Sequence, residues 1–370
     1  LNMKKIFRTT LAASITLALA ACGGSSSSST PATIDIAGSI DKGSLISAKV
    51  QIFRASDTGF TTPLTTDPAD VQTDENGDYT ATVVNASGDA IVGALVVNIT
   101  ADGDTTMRCD AAVSCGDVPR GDIIPNSQVA GISLSTLTVA TVDAEGNGIA
   151  LDADANTLTT MATDAVLEQV AANPNLASAI DTLPIESVTT LQENASVIVG
   201  EILGVDLSET NIYDITIVDS TDTQAVADAV DAAGTNASIT NTLTLINASL
   251  AGLPISSGST LGDTINNYLD DVAVVSTTVV EAIADGADIA TALLNDAAAE
   301  AQLALAEAQV EISDQATTLQ QEIESDATNE GIEVVIDIVE IPTIVPEIEI
   351  DLGDIVVVTG ATGGTGGTGG

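Results

Sequence analysis

The last cation of this 370-residue chain is Arg120. From residue 121 to residue 370 there is no Lys, Arg or His, so no carboxylate of that stretch can form a salt bridge within it. Each must be satisfied by water, a helix N-terminus, a backbone donor or a metal ion. Past residue 21 the only cations are Lys42, Lys49, Arg54, Arg108 and Arg120, set against 53 Asp and Glu. So acidic a surface repels nucleic acid and anionic headgroups, because binding either depends on Lys and Arg neutralising phosphate. A nucleic-acid partner is excluded. Self-repulsion of this kind opposes compaction and is screened by salt, which favours a saline or divalent-rich medium. Hydrophobic residues nevertheless make up 45% of the chain, enough to build cores. Those cores are aliphatic, with Phe53, Phe60, Tyr79, Tyr213 and Tyr268 the only aromatics past residue 21. The length suits two or three domains.

The first residues read as an export signal. Lys4, Lys5 and Arg8 precede an apolar run over 11–21. That run is far shorter than the ~20 residues a membrane span needs, so it predicts a cleaved signal over 1–21. Leu19-Ala20-Ala21-Cys22 closes the run and resembles a bacterial lipoprotein lipobox. The resemblance implies cleavage before Cys22, a diacylglyceryl group on its sulfur and acylation of its new amino group. Several acyl chains exceed the two hydrophobic signals that stable anchoring takes. In that family an aspartate after the cysteine retains the protein in the inner membrane; Gly23 stands there, so lipid anchoring in the outer membrane is expected. Residues 22–32, with serine at every position from 25 to 29, predict a flexible tether. Cys109 and Cys115 remain, and in an oxidising compartment they are expected to pair. So short a loop contributes roughly 2 kcal/mol. A metal pair is the alternative, but zinc usually takes four ligands and the chain has no histidine.

From Thr33 to about Val118 apolar and polar residues alternate, which predicts half-buried strands with turns at Gly43, Asn76-Gly77 and Gly88. Gly38, Lys49-Val50-Gln51-Ile52-Phe53 and Thr73-Asp74-Glu75-Asn76-Gly77-Asp78-Tyr79-Thr80 together resemble a carboxypeptidase-regulatory-like, prealbumin-type β-sandwich. The likeness covers about a quarter of the chain and implies that Tyr79 enters the core. Immunoglobulin-like sandwiches share the alternation, and the run over 60–70 departs from the family pattern. The sandwich is therefore expected over 33–120. A connector or sheet extension follows over 121–155, with one strand over 132–142.

At Asn156 the period changes. Leu158, Met161, Ala162, Ala165, Val166, Gln169 and Val170 recur at three and four, the mark of an amphipathic helix that Asn173-Pro174-Asn175 stops. Further helices are predicted over 185–203, ending at Gly204, and over 223–233, 239–251 and 261–284. Leu158-Thr159-Thr160-Met161-Ala162, then Ile202-Leu203-Gly204-Val205-Asp206-Leu207, is similar to a helical segment that follows such sandwiches in other secreted bacterial lipoproteins, a segment with no activity to transfer. The longest helix is predicted over 289–326. Leu294, Ala298, Ala301, Leu305, Ala308, Ile312, Gln315 and Leu319 form a heptad-like seam on it. Packing on 261–284 as an antiparallel hairpin is expected, with self-association through the seam as the alternative. The helical domain thus spans 156–328. After Gly331, Ile332, Val334, Ile336 and Ile338 and then Ile348, Ile350 and Leu352 alternate again, predicting a β segment over 329–358 split by Pro342 and Pro346. A Gly/Thr tail with nothing to bury, expected to be disordered, occupies 359–370.

Two kinds of chemistry invite tests. Asp143, Glu145, Asn147 and Asp154 occupy positions 1, 3, 5 and 12 of an EF-hand-like calcium loop with Gly148 at position 6. Glu145 is long for its place, Asp154 replaces the bidentate Glu, and a solvated Asp/Gly turn is the competing reading. Asp74, Asn76 and Asp78 share that spacing, but Asn76-Gly77 is first a hairpin turn. Asp57-Thr58-Gly59 copies the aspartic-protease triplet, whose chemistry needs a second such carboxylate that the chain lacks. Without histidine there is no Ser-His or Cys-His nucleophile, and few aromatics are available to stack a sugar. The expectation is a multidomain α+β protein with an N-terminal antiparallel β-sandwich, a helical middle and a short β segment. It is noncatalytic, takes no cofactor, is lipid-anchored at Cys22 and displays an interaction module to a protein or polymer. A calcium-binding or calcium-stabilised envelope protein is the alternative.

Overall fold

The computed structural model describes residues 31–342. The lipidation position Cys22, the 22–30 part of the tether, Ile348, Ile350, Leu352 and the Gly/Thr tail lie outside them. The architecture is mixed α+β: two packed β-sheets followed by a helical body. The strands are β1 (Ala32–Ser39), β2 (Lys49–Arg54), β3 (Thr66–Asp67), β4 (Val71–Gln72), β5 (Asp78–Asn85), β6 (Gly93–Thr100), β7 (Met107–Arg108), β8 (Ser114–Cys115), β9 (Val118–Pro119), β10 (Ile123–Ile124), β11 (Ser133–Ala140) and β12 (Leu151–Asp152). One sheet has the order β12-β1-β5-β3 and the other β11-β6-β2-β4. β7 pairs with β10 and β8 with β9 as small ribbons.

The two large sheets differ in what covers them, and their sequences differ accordingly. In β1 the residues Ile34 and Ile36 are buried while Thr33, Asp35 and Ala37 face outward, the alternation of a sheet wetted on one side. β6, GALVVNIT, is buried at every residue but its last; it lies between β11 and β2, with the 3-10 turn Ile180–Thr182 packed on it and a helix on the adjoining β11. The segment expected as a connector or sheet extension is the extension. β11 pairs antiparallel with all of β6, from Ser133 opposite Thr100 to Ala140 opposite Gly93, and β12 adds to β1 in parallel. Tyr79 is buried and its hydroxyl donates to Ala153 O at 2.5 Å. Gly38 permits this approach, since a Cβ there would lie 2.3 Å from Ala153 O and 2.9 Å from the Tyr79 hydroxyl.

The helices are α1 (Asn126–Val129), α2 (Thr157–Ala172), α3 (Pro174–Ala177), α4 (Ile185–Leu203), α5 (Thr223–Ala233), α6 (Ala237–Ser249), α7 (Leu261–Asp285), α8 (Ile289–Ala292) and α9 (Asp296–Glu330). Asn156 caps α2, accepting from the N–H groups of Leu158 and Thr159 while its own N–H reaches Thr159 Oγ1. α4, α7 and α9 end on left-handed Gly204, Gly286 and Gly331. α2 lies on β11 and packs against α4 and α7; α9 packs against α7 and α6. One hydrophobic cluster runs from Ile34 in β1 to Ile323 in α9, so apolar packing is continuous across the start of α2.

Two expectations are corrected. The long helix does not begin at 289: α8 stops at Ala292, and Asn295 recaps the chain by accepting from Ala298 N at 2.9 Å. Leu294, expected in the seam, is 77% exposed. The seam is also not heptad. The buried residues are Ala298, Ala301, Leu305, Gln309, Ile312, Ala316, Leu319, Ile323 and Ala327, whose steps average about 3.6, the period of a straight helix. A 3.5-residue period drifts off this face after two turns and selects Ala308 and Gln315 in place of Gln309 and Ala316.

The second correction concerns the C-terminal β segment. Residues 332–342 carry no regular secondary structure, and the alternation holds as far as Ile338, with Ile336 inward and Val335 72% exposed, yet the described part forms no strand. Four of its backbone groups are met by helix side chains instead. Gln320 Nε2 donates to Ile336 O at 2.6 Å, Asn241 Nδ2 to Asp337 O at 3.0 Å and Ser313 Oγ to Ile341 O at 3.3 Å, while Val339 N donates to Thr242 Oγ1 at 2.8 Å. The segment is a strap over α6 and α9.

Candidate functional site

The chemistry of the described chain concentrates where the sandwich meets the helices, around the turn from Ser39 to Ser44. Ser39 ends β1, and Ile40 then forms a parallel bridge with Ala155, next to the α2 cap. Asp41 N donates to Ala155 O at 3.1 Å, and Asn247 of α6 donates its amide to Asp41 O. Asn247 Oδ1 in turn accepts the Thr157 hydroxyl at 2.6 Å, so one α6 side chain ties β1 to α2. Gly43 turns the chain at φ +59°, and a Cβ there would sit 2.0 Å from Arg108 O.

Lys42 points into the joint. Its ammonium lies 3.1 Å from each oxygen of Asp110 and 3.4 Å from Ala248 O of α6, and both side chains are sealed from water at 0% and 1% exposure. Burial pushes the Lys42 ammonium down, with Asp110 opposing, and raises the Asp110 carboxyl to about 6, with Lys42 opposing. Desolvation thus works against charge on both partners, and the direct contact holds the ion pair. The Cys109–Cys115 disulfide, with Cα atoms 5.7 Å apart, closes the loop that carries Asp110. Arg120 completes the clamp: its guanidinium donates to Asp110 O at 2.8 Å, Ala111 O at 3.1 Å, Ser220 Oγ at 3.0 Å and Ser220 O at 2.5 Å. Arg108 Nε lies 3.6 Å from Asp219 Oδ2, which also accepts the Ser44 hydroxyl at 3.0 Å. Three of the five downstream cations therefore fasten the sandwich to a partner region that has none of its own.

Beside the clamp opens a cavity of about 430 Å³, walled by Asp41, Asp78, Asp154, Asp219, Asp222, Glu330 and the single cation Arg108, among others. Burial, with Asp154, Asp219 and Asp78 nearby and the Ser39 hydrogen bond opposing, pushes the Asp41 carboxyl up to about 8. A second cavity, of about 440 Å³, shares Asp154 and Thr216 with the first and mixes hydroxyls and amides, including Thr138, Thr189 and Gln192, with apolar side chains and the carboxylates of Asp152 and Asp214.

The calcium-loop residues are not assembled. Asp143 Oδ1 accepts the N–H groups of Glu145 at 3.0 Å and Asn147 at 2.8 Å, and Asn147 Nδ2 reaches both its oxygens, which makes a self-satisfied, exposed Asp/Gly turn. These bonds hold the Asp143 carboxyl below its usual range. Asp154 instead accepts the Ser39 N–H and hydroxyl. Among the described residues no three acidic or thiol groups converge as a metal site. Asp57 likewise accepts from Thr61 and Thr62 in an exposed loop.

The sequence reading missed Ser39, Asp41, Lys42, Asp110 and Arg120 as a unit. The available signal was the scarcity of cations, since a chain with five downstream positive charges has few places to put them. Among the described residues no helix is long and apolar enough to cross a membrane. No protein-family model matches the chain, and no curated protein or solved structure is significantly similar to it.

Proposed function

We propose that the chain is a noncatalytic lipoprotein of the bacterial outer membrane, anchored through Cys22, that displays its sandwich and helical body to a protein or polymer partner. The observation that carries the display reading is the inward use of positive charge. Lys42 and Arg120 are committed to the joint and Arg108 is paired with Asp219, so Lys49, Arg54 and the half-exposed Arg108 are the few positive charges on a surface dominated by carboxylates. Such a face suits a partner that brings its own cations, and it attracts that partner more strongly at low salt. The anchor rests on the lipobox-like Leu19-Ala20-Ala21-Cys22.

Metabolic labelling with palmitate tests the anchor. The mature polypeptide takes up label and fractionates with membranes, whereas Cys22→Ala loses both. An unlabelled mature chain overturns the proposal. Cross-linking in intact envelopes at low and high salt tests the display role: adducts that fade as salt rises support a cation-bearing partner, and their absence at both counts against it.

A further inference from the structure

We propose that Ser39, Asp41 and Asp154 form a proton-held latch fastening the end of β1 to the start of α2, and that loss of its one shared proton loosens the joint. The argument is donor accounting. Ser39 Oγ lies 2.7 Å from Asp41 Oδ2 and 2.9 Å from Asp154 Oδ1, yet a hydroxyl carries one proton and can donate to only one of them. With both carboxyls ionised, the remaining contact would press an anionic oxygen onto the hydroxyl lone pairs at hydrogen-bond distance. A proton on one carboxyl removes that conflict. Asp154 Oδ1 already accepts the Ser39 N–H at 2.7 Å, which marks it as the carboxylate. Asp41 is then the acid: its O–H donates to Ser39 Oγ, and the Ser39 O–H donates to Asp154.

The surroundings keep the proton in place. Asp41 faces Asp78 of β5, Asp154 between β12 and α2, and Asp219 ahead of α5, while Asp222 and Glu330 line the same cavity. The cations on the neighbouring elements are directed elsewhere, Lys42 to Asp110 and Arg108 to Asp219. Burial and these like charges raise the Asp41 carboxyl to about 8. An acid raised in the fold keeps its proton there while the unfolded chain has already lost it. Its contribution to stability is therefore full below about pH 4 and is lost as pH climbs through 8. What the latch holds is the contact that aligns the β1 end with the α2 cap, because Ala155 N also donates to Ser39 O at 2.9 Å.

The test is carboxyl-carbon NMR on the full chain with labelled aspartate, combined with amide exchange. Asp41 is expected to titrate near pH 8. The Ser39 and Ala155 amides should gain at least tenfold in exchange between pH 6 and pH 9, after correction for intrinsic rates. Asp41→Asn, whose neutral amide donates to Ser39 at any pH, should abolish that gain, and Asp154→Asn should return the Asp41 midpoint toward the ordinary carboxylate range. The difference between wild type and Asp41→Asn also separates this group from Asp110. An Asp41 midpoint near 4 in the wild-type chain overturns the latch, as does an exchange gain that persists in Asp41→Asn.

Discussion

The joint and the helical body bury polar groups by opposite means. At the joint a full ion pair, Lys42 with Asp110, is sealed in the interior and Arg120 is stretched over three backbone carbonyls. In the helical body, which has no cation to bury, the sealed polar groups are amides and hydroxyls, while the partly buried Asp164 carboxyl is pushed up to about 7 by burial. α6 buries every residue from Thr240 to Ser249, and its hydroxyls fold back on their own helix, as Thr242 does to Ser238 O and Ser249 to Leu245 O. Its amides reach outward: Asn241 to the strap, and Asn247 to Thr157 and Asp41. Gln309 of α9 donates to Leu203 O at 3.1 Å in the same way. Neutral groups lose less on leaving water than charges do, so a cation-free chain can still build a specific interior. The ion pair is confined to the place where the cation-bearing segment touches the cation-free one.

Substitutions can break this contrast. Lys42→Met leaves Asp110 buried without its partner and should lower stability by about 3–5 kcal/mol in urea denaturation. In the body, Asn247→Ala strips hydrogen-bond partners from Thr157 and Asp41 without stranding a charge, and should cost about 1–3 kcal/mol. Ala316→Leu sharpens the account of α9. On the 3.6-residue face position 316 is sealed, so the larger side chain overpacks and should cost about 1–3 kcal/mol, whereas a heptad seam would leave the site tolerant. Replacing Cys109 and Cys115 by Ser together should cost roughly 2 kcal/mol by the loop-entropy argument. Any excess over that value reports how far the loop also positions Asp110.

The sequence made much of the local structure legible where the determinant lies within a few residues, although the Asn295 cap of α9, equally local, was passed over. Gly204 ends α4 because it supplies the left-handed turn that closes a helix, and the Asn173-Pro174 stop after α2 is equally local; Gly331 closes α9 in the same way, but beyond the end predicted at 326. Period errors appeared over longer spans. A seam of threes and fours looks heptad across two turns, and only over the whole of α9 does the burial of Gln309 and Ala316 separate 3.6 from 3.5. The strap over 332–342 has a strand's alternation but no paired strand among the described residues, and periodicity does not encode a neighbour. The joint was not legible because its partners are far apart in sequence: 68 residues separate Lys42 from Asp110, and 115 separate Ser39 from Asp154. Asp154 illustrates the hazard, since its spacing from Asp143 suited a calcium loop while its contacts belong to β1.

The most direct test of the confined-charge account is a double-mutant cycle on Lys42 and Asp110, read by urea denaturation at fixed pH and salt. Each single replacement by an apolar residue of similar volume should be strongly destabilising, and the double replacement should recover most of the loss, because neither charge is then stranded. Two single effects that simply add in the double variant would contradict it.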